Sequence, residues 1–411
     1  MLIWFFSPNG QPKGHGSRIY NYSIEMVRRG HQVTIFTKSF IHRSKEEYLD
    51  DKEKVRIEIV DGIRVVWIRT QHYSGNDWKR GISELQFAWR ALKIAIKMDE
   101  SPDIIIGDSV PPFNGLAASI AADRKKSQFV YQIRDVWPIA LVHDGSLSKN
   151  SPIYWIFRII EKYLYRKSAG ICATMPFLHQ HVLDSGGDPS KITCIPNGVN
   201  LDMYPKKLSE YDGGAKKKPL VAMYVGSISF AHDVITIVKA ANILKSSGEN
   251  KYKFIIVGDG VKKKECEKEA AEKSLANIDF IETIPKSEVP EIQKQADIFI
   301  ACVLDSKAYS FGINLNKIYD YFASGRPVIF SGKAPNDHVS ISGAGFSIPP
   351  ENPQYMADSL ERYFEMTIDE RKEMGVAARE YAEKEFDTRV LAGRFEKILL
   401  DIANKRKPEF Y

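Results

Sequence analysis

Short apolar runs of strand length alternate with longer segments of helical period along nearly the whole chain, and the series runs twice. A parallel strand needs a crossover of helical length before the next strand can pair, so this alternation points to βαβ units around mostly parallel sheets. In the first half the spacing predicts strands over 2–6, 33–37, 65–69, 103–107, 129–133 and 169–174, with helices over 19–29, 82–97, 113–124 and 153–167. A polar stretch over 206–218, with Asp212, Gly213, Gly214 and three consecutive lysines, then breaks the rhythm as a linker does. Strands over 220–225, 253–257, 278–281, 298–303 and 327–330 come after it, separated by helices over 234–245, 262–274, 289–295 and 316–323. From 352 to 405 the pattern is helical.

A chain of 411 residues exceeds the size at which one core keeps growing. The expectation is an α/β protein of two Rossmann-like parallel-sheet domains with a cleft between them. They are placed at 1–205 and 206–385, with a helix over 386–411 that crosses back to the first. The opening MLIWFF lacks a basic flank and a long apolar stretch, so it reads as a first buried strand and not as a leader. No run of 18 apolar residues suggests a membrane-spanning helix. The four cysteines, Cys172, Cys194, Cys266 and Cys302, lack metal-ligand spacing, which favours reduced thiols and a cytoplasmic protein.

The net charge of +6 lies entirely in residues 1–205, which hold 27 Lys and Arg against 21 Asp and Glu. Anionic lipid or a pyrophosphate-bearing acceptor suits such a half; a solvated surface of no special role suits it equally. Residues 154–167 mix aromatics and cations at helical spacing, the composition of a helix resting on an anionic bilayer or simply packed on a sheet.

In open α/β sheets ligands bind beyond the carboxyl ends of strands, where glycine turns and helix N-termini approach phosphate. Four loops qualify. The first, after strand one, contains Lys13, Gly14, His15, Gly16, Ser17 and Arg18. Its glycines permit close backbone approach and its cations supply charge; its other reading is a plain turn. The second is Gly226 and Ser227 with His232 beyond. The third is Gly258, Asp259 and Gly260. The fourth leads through Asn314 and Leu315 into a helix at Asn316, where the first-turn amides and the Lys317 ammonium can meet a diphosphate. Asp320, one turn on, can accept hydrogen bonds from ribose hydroxyls. Arg134 and Asp135 close the fifth strand.

These pieces, with Arg29-Gly30-His31-Gln32-Val33-Thr34, Arg134-Asp135-Val136-Trp137-Pro138 and Ile195-Pro196-Asn197-Gly198-Val199-Asn200, resemble the retaining glycosyltransferases of family four. The branch most similar includes bacterial N-acetyl-fucosamine, O-antigen and capsule transferases. The resemblance implies a GT-B fold, with the acceptor on the first domain near Lys13, His15 and Arg18. It places the nucleotide sugar on the second domain, with the Gly14–Ser17 loop approaching it. Asn316 and Lys317 would take the diphosphate, Asp320 the ribose, and the backbone near Thr283 and Ile284 the base. Arg134, Asp135 and Lys317 would serve the reaction. Two family features are absent. Gly312 stands eight residues before Asp320, where a pair of glutamates seven apart is usual, and Ser229, Phe230, Ala231 and His232 replace a basic pair.

The expected activity is transfer of a sugar, an N-acetylated amino sugar from a uridine diphosphate donor by resemblance, to a lipid-linked or polysaccharide acceptor. No Asp-x-Asp metal motif occurs, so no metal or other cofactor is expected. Nor is a nucleic-acid partner; a peripheral contact with the inner face of the cytoplasmic membrane is. The alternatives are a nucleotide-sugar epimerase on the same fold and a non-catalytic nucleotide-sugar-binding subunit.

Overall fold

The computed structural model describes residues 1–12, 18–41, 46–73, 75, 78–143, 145–205, 219–245 and 251–405. The chain forms two compact units, Met1–Pro196 with the segment from Leu391 onward, and Asn197–Val390.

The strands of the first unit are β1 (Leu2–Phe6), β2 (Gln32–Lys38), β3 (Phe40–Ile41), β4 (Glu46–Glu47), β5 (Val55–Val60), β6 (Ile63–Ile68), β7 (Ile104–Asp108), β8 (Gln128–Ile133), β9 (Gly170–Ala173) and β10 (Ile192–Cys194). Eight make one sheet in the order β10-β9-β8-β7-β1-β2-β6-β5, while β3 and β4 pair separately. Central strands such as LIWFF and IIIGD are buried because helices cover both faces, which is why they read as unbroken apolar runs. The helices are α1 (Arg18–Arg28), α2 (Trp78–Lys97), α3 (Pro112–Lys125), α4 (Ile139–His143), α5 (Pro152–Lys167) and α6 (His179–Asp184). On one face α3 lies between α2 and α5. On the other, Ile19, Tyr22 and Met26 of α1 share a core with Ile3, Phe5 and Ile104.

The one antiparallel pair in this sheet is β5 with β6. The strands expected from the sequence do not include β5, although VRIEIV and IRVVWI flank Asp61-Gly62, a two-residue hairpin signal. Nor do they include β10, whose three residues are too few to show a period.

The second unit has β11 (Leu220–Val225), β12 (Tyr252–Val257), β13 (Ile278–Ile281), β14 (Ile298–Cys302), β15 (Val328–Ser331) and the likewise unforeseen β16 (Gly345–Ile348). They form an all-parallel sheet in the order β13-β12-β11-β14-β15-β16. Its helices are α7 (Val234–Leu244), α8 (Lys263–Glu272), α9 (Val289–Gln293), α10 (Asn316–Ala323), α11 (His338–Ser342), α12 (Pro353–Glu365) and α13 (Ile368–Tyr381). One face is covered by α7, α8 and α12, the other by α10 and α13. A last helix, α14 (Thr388–Ala403), places Leu391, Phe395, Ile398 and Leu399 in the core of the first unit.

The units divide at 196/197 and 390/391, where the sequence pattern suggests 205/206 and 385/386. Residues 197–205 go with the second unit because their bonds do: Val199 bridges to Asp387, and the Tyr204 hydroxyl donates to Asp320. The stretch over 206–218 read as a linker lies outside the described residues.

Candidate functional site

In the second sheet the chain steps outward from β11 through β12 to β13, then crosses back to β14 on the other side of β11. At such a reversal the loops leaving neighbouring strand ends part and open a crevice. Gly226 and Ser227 leave β11 there, and the segment after β14 leads to α10.

Lys317, in the first turn of α10, reaches back to this crevice. Its ammonium donates to the Tyr224 hydroxyl at 2.6 Å and lies 4.2 Å from the centre of that ring. A Cβ on Gly226 would stand 3.0 Å from Lys317 Cε, so the absence of a side chain makes room for the cation. Only 9% of Lys317 is exposed, and that hydrogen bond is its only one among the described residues. No described carboxylate pairs with it. An ammonium has three donors to satisfy, so two remain for a ligand. Burial alone lowers its pKa to about 8; Cys302 acts weakly in the opposite direction.

His232 shares its Nδ1 with the Ser227 and Ser229 hydroxyls, at 3.2 and 3.0 Å. Burial and then the Lys317 charge bring its pKa down to about 4, so it is neutral at physiological pH and meets an anion only by hydrogen bonding.

The turn after β12 closes over the turn after β11. A Cβ on Gly258 would fall 2.0 Å from the Gly226 carbonyl oxygen, and Gly258 has φ +141°, a conformation open to glycine. The exposed Asp259 accepts from the Gly260 amide at 2.7 Å, fixing its own turn. Thr283 is exposed and Ile284 half-buried beyond β13.

Asn336 clamps the approach to α10, accepting from the Ile313 amide at 2.7 Å and donating to its carbonyl at 2.9 Å. Leu315 is the N-cap residue and offers no side-chain cap, leaving first-turn amides for a ligand. Asn314 and Asn316 turn their side-chain oxygens to Asn197, at 3.0 and 2.7 Å, and so bind the start of the unit to the loop. Asp320 is engaged already: it accepts from Tyr204 at 3.0 Å and forms an ion pair with Lys286. A ribose hydroxyl would have to share it with that ammonium. Gly226, Ser227, His232 and Lys317 therefore converge, whereas Asp320 stands apart with its own cation. Tyr224 and Lys286 have no distinctive signal in the sequence, since a tyrosine near the end of an apolar strand and one lysine among many carry no pattern.

The first sheet reverses between β1 and β7. Asp108, ending β7 and buried, accepts from the Ser7 hydroxyl at 2.5 Å and from the Gln132 amide. Arg134, half-exposed, has a guanidinium nitrogen 3.9 Å from Asp108, and its amide donates to Ser109 at 3.0 Å. Asp135 is open to solvent, yet its carboxyl is raised above its ordinary value. The surrounding protein desolvates it first of all, Arg134 pulls it back, and the Asp108 charge pushes it up again. Arg18 requires correction as an acceptor contact. It is buried, donating to Gln132 and to the Ile195 carbonyl at 2.8 Å, with its guanidinium 4.4 Å from the Tyr22 ring centre. Its charge thus serves the interior of the unit. Lys13, Gly14, His15, Gly16 and Ser17 lie outside the described residues.

A family model described as Glycosyl transferase 4-like domain matches residues 13–198, and one described as Glycosyl transferases group 1 matches 207–381. The chain belongs to the family 4 type of glycosyltransferases. This glycosyltransferase is 19% identical over 304 residues to the probable glycosyltransferase WbjE of Pseudomonas aeruginosa, covering 70% of this chain and 73% of that one. Among solved structures it resembles sucrose-phosphate synthase from Thermosynechococcus elongatus, with a TM-score of 0.73 at 15% identity over 98% of this chain and 99% of that. It also resembles Anabaena HepE in complex with UDP and glucose, with a TM-score of 0.68 at 16% identity over 98% and 100%. The fold shared with them is GT-B.

Proposed function

We propose that this glycosyltransferase moves a sugar from uridine diphosphate, with retention at the anomeric carbon and without a metal ion, onto a lipid-linked or polysaccharide acceptor of the cell surface. The N-acetylated amino sugar favoured by the sequence resemblance is the donor sugar in this reading. The observation that carries it is the buried Lys317 ammonium, unpaired with any described carboxylate, beside Gly226 and the uncapped start of α10. Buried cations are costly unless an opposite charge meets them, and a pyrophosphate supplies that charge. Uridine is supported by the complex of HepE with UDP, a protein of like fold.

In the reaction the bond from anomeric carbon to phosphate oxygen breaks, and negative charge gathers on the departing diphosphate. Lys317 and the first-turn amides of α10 meet that charge from fixed positions. The acceptor oxygen bonds to the anomeric carbon on the same face, and its proton passes to the departing phosphate oxygen, so configuration is kept without a protein base. Arg134 would contact phosphate or sugar, and Asp135 would orient it or an acceptor hydroxyl. In this reading the Lys317 ammonium and the first-turn amides of α10 take the charge-stabilising role that a metal ion would otherwise fill. The same reading sets the protein in the cytoplasm, peripheral on the membrane's inner face; no described helix is long and apolar enough to cross a bilayer.

Thermal-shift screening against a panel of nucleotide sugars, followed by transfer assays with and without chelator, tests this. Stabilisation by uridine diphosphate sugars and chelator-resistant transfer are expected. A new nucleotide sugar formed efficiently without acceptor, or turnover abolished by chelator, would overturn the reading.

A further inference from the structure

The layer of α2, α3 and α5 on the first sheet has an apolar outer surface in addition to the inner one. Phe87, Ala88, Ala91 and Ala95 of α2 are buried, which is all that covering a sheet requires. Yet Trp78, Leu85, Trp89 and Ile96 also form a line, at successive spacings of seven, four and seven residues that return to one helix face. Trp78 is 72% exposed and Trp89 55%. At the rise of an α-helix this stripe is about 27 Å long. Across α3, helix α5 presents Ile153, Trp155, Ile156 and Ile159, with Trp155 60% exposed. The edge strand β5 continues the surface, because exposed Ile57 pairs with Val66, whose neighbours Val65 and Trp67 face the opposite core.

Within α2 and α5 themselves the exposed charges have one sign. α2 and α5 contain two acids between them, Glu84 and Glu161, and both are buried, held by Lys38 and by Arg158 with His181. The exposed charged positions are cationic: Lys79, Lys93 and Lys97 on α2, and Lys162, Arg166 and Lys167 on α5. Among the described residues, Lys167 is the one of these six in an ion pair, with Asp123 of α3 at 2.7 Å, and the exposed Asp99 follows the end of α2. The Lys93 ammonium lies 3.7 Å from the centre of the Trp89 ring, the pairing of aromatic plate and cation that suits a headgroup layer.

We propose that the outer face of α2 and α5 is a docking surface for an anionic bilayer, with the Trp78–Leu85–Trp89 stripe of α2 as its main anchor. A second copy of the chain is disfavoured as occupant, since a face meeting its own kind would oppose cations to cations, whereas acidic headgroups neutralise them and the acyl boundary takes the indoles and isoleucines. The inference deepens the lipid-linked acceptor reading and rests on it for its purpose. It also adds α2 to the helix over 153–167 that the sequence singled out.

The test is flotation of the full chain with vesicles of phosphatidylcholine alone and of phosphatidylcholine with an equal amount of phosphatidylglycerol, with tryptophan emission recorded in parallel. Flotation only with anionic vesicles and a blue shift on binding are expected. The variant Trp78→Ser, Leu85→Ser, Trp89→Ser should partition at least tenfold more weakly, and Lys79→Glu with Lys93→Glu should do the same without touching an apolar side chain. Circular dichroism guards against unfolding. Absence of binding to anionic vesicles overturns the proposal. So does undiminished binding by both variants, or self-association in sedimentation that the serine variant abolishes. Stabilisation by uridine diphosphate, measured without vesicles, reports on the transferase reading separately, so either idea can fail while the other stands.

Discussion

Replacing Lys317 by methionine keeps most of the side-chain volume and removes the charge. The lost contact is a charge-assisted hydrogen bond from a buried donor, about 1.5–3 kcal/mol, or roughly 10- to 150-fold in the dissociation constant of uridine diphosphate. The pH dependence makes the assignment sharper. With a free-protein pKa of about 8, the ammonium is present at pH 7 and largely gone by 9.5, while bound phosphate would hold the proton on. Affinity should therefore fall as pH rises, by roughly thirtyfold over that interval. Its neighbours titrate elsewhere: Tyr224 is raised well above its ordinary range by burial, His232 falls to about 4 and Cys302 rises to about 12. Stability supplies the control. A lysine whose pKa is lower folded than unfolded makes the folded state less favourable below its folded pKa, and that penalty fades as pH rises from about 8 to the unfolded value of 10.5. The ligand-free Met variant should thus be at least as stable as the parent at pH 7, by up to about 3 kcal/mol. Calorimetric titration of parent and variant at pH 7.0, 8.0 and 9.5 reads all of this. Binding within twofold of the parent, or the same pH slope in both proteins, would refute the phosphate role.

Gly258→Ala should lower unfolding free energy by about 2 kcal/mol or more in urea titration, since its Cβ would press on the Gly226 carbonyl in a strained conformation; a change under about 0.5 would contradict that packing. Arg18→Leu leaves Gln132 and the Ile195 carbonyl without their donor and should cost about 2–4 kcal/mol of stability, whereas a fully stable variant with a raised acceptor KM would restore the surface role. Asp320→Asn should cost only about 1 kcal/mol by thermal unfolding, because Lys286 keeps access to water; a loss above about 3 would show a pair far more enclosed than it is.

Periodicity and turn chemistry are local, and the features that depend on them are readable along the chain. The strands from β1 to β9 that carry continuous apolar runs, the two βα series and the glycine turns at Gly226 and Gly258 are legible because neighbouring residues alone decide them. The direction taken by a charged side chain is not local. Arg18 and Lys317 look alike in sequence, each a cation in the first turn of a helix after a strand. The tertiary structure sends Arg18 inward to a carbonyl 177 positions away and sets Lys317 on a tyrosine 93 positions away, with donors left over. It likewise gives Asp320 to Lys286, 34 residues earlier, and turns a second apolar face of α2 outward. Burial and pairing depend on what the rest of the fold brings alongside, so the chain alone could name the candidates, and only packing could decide which charges remain for a ligand.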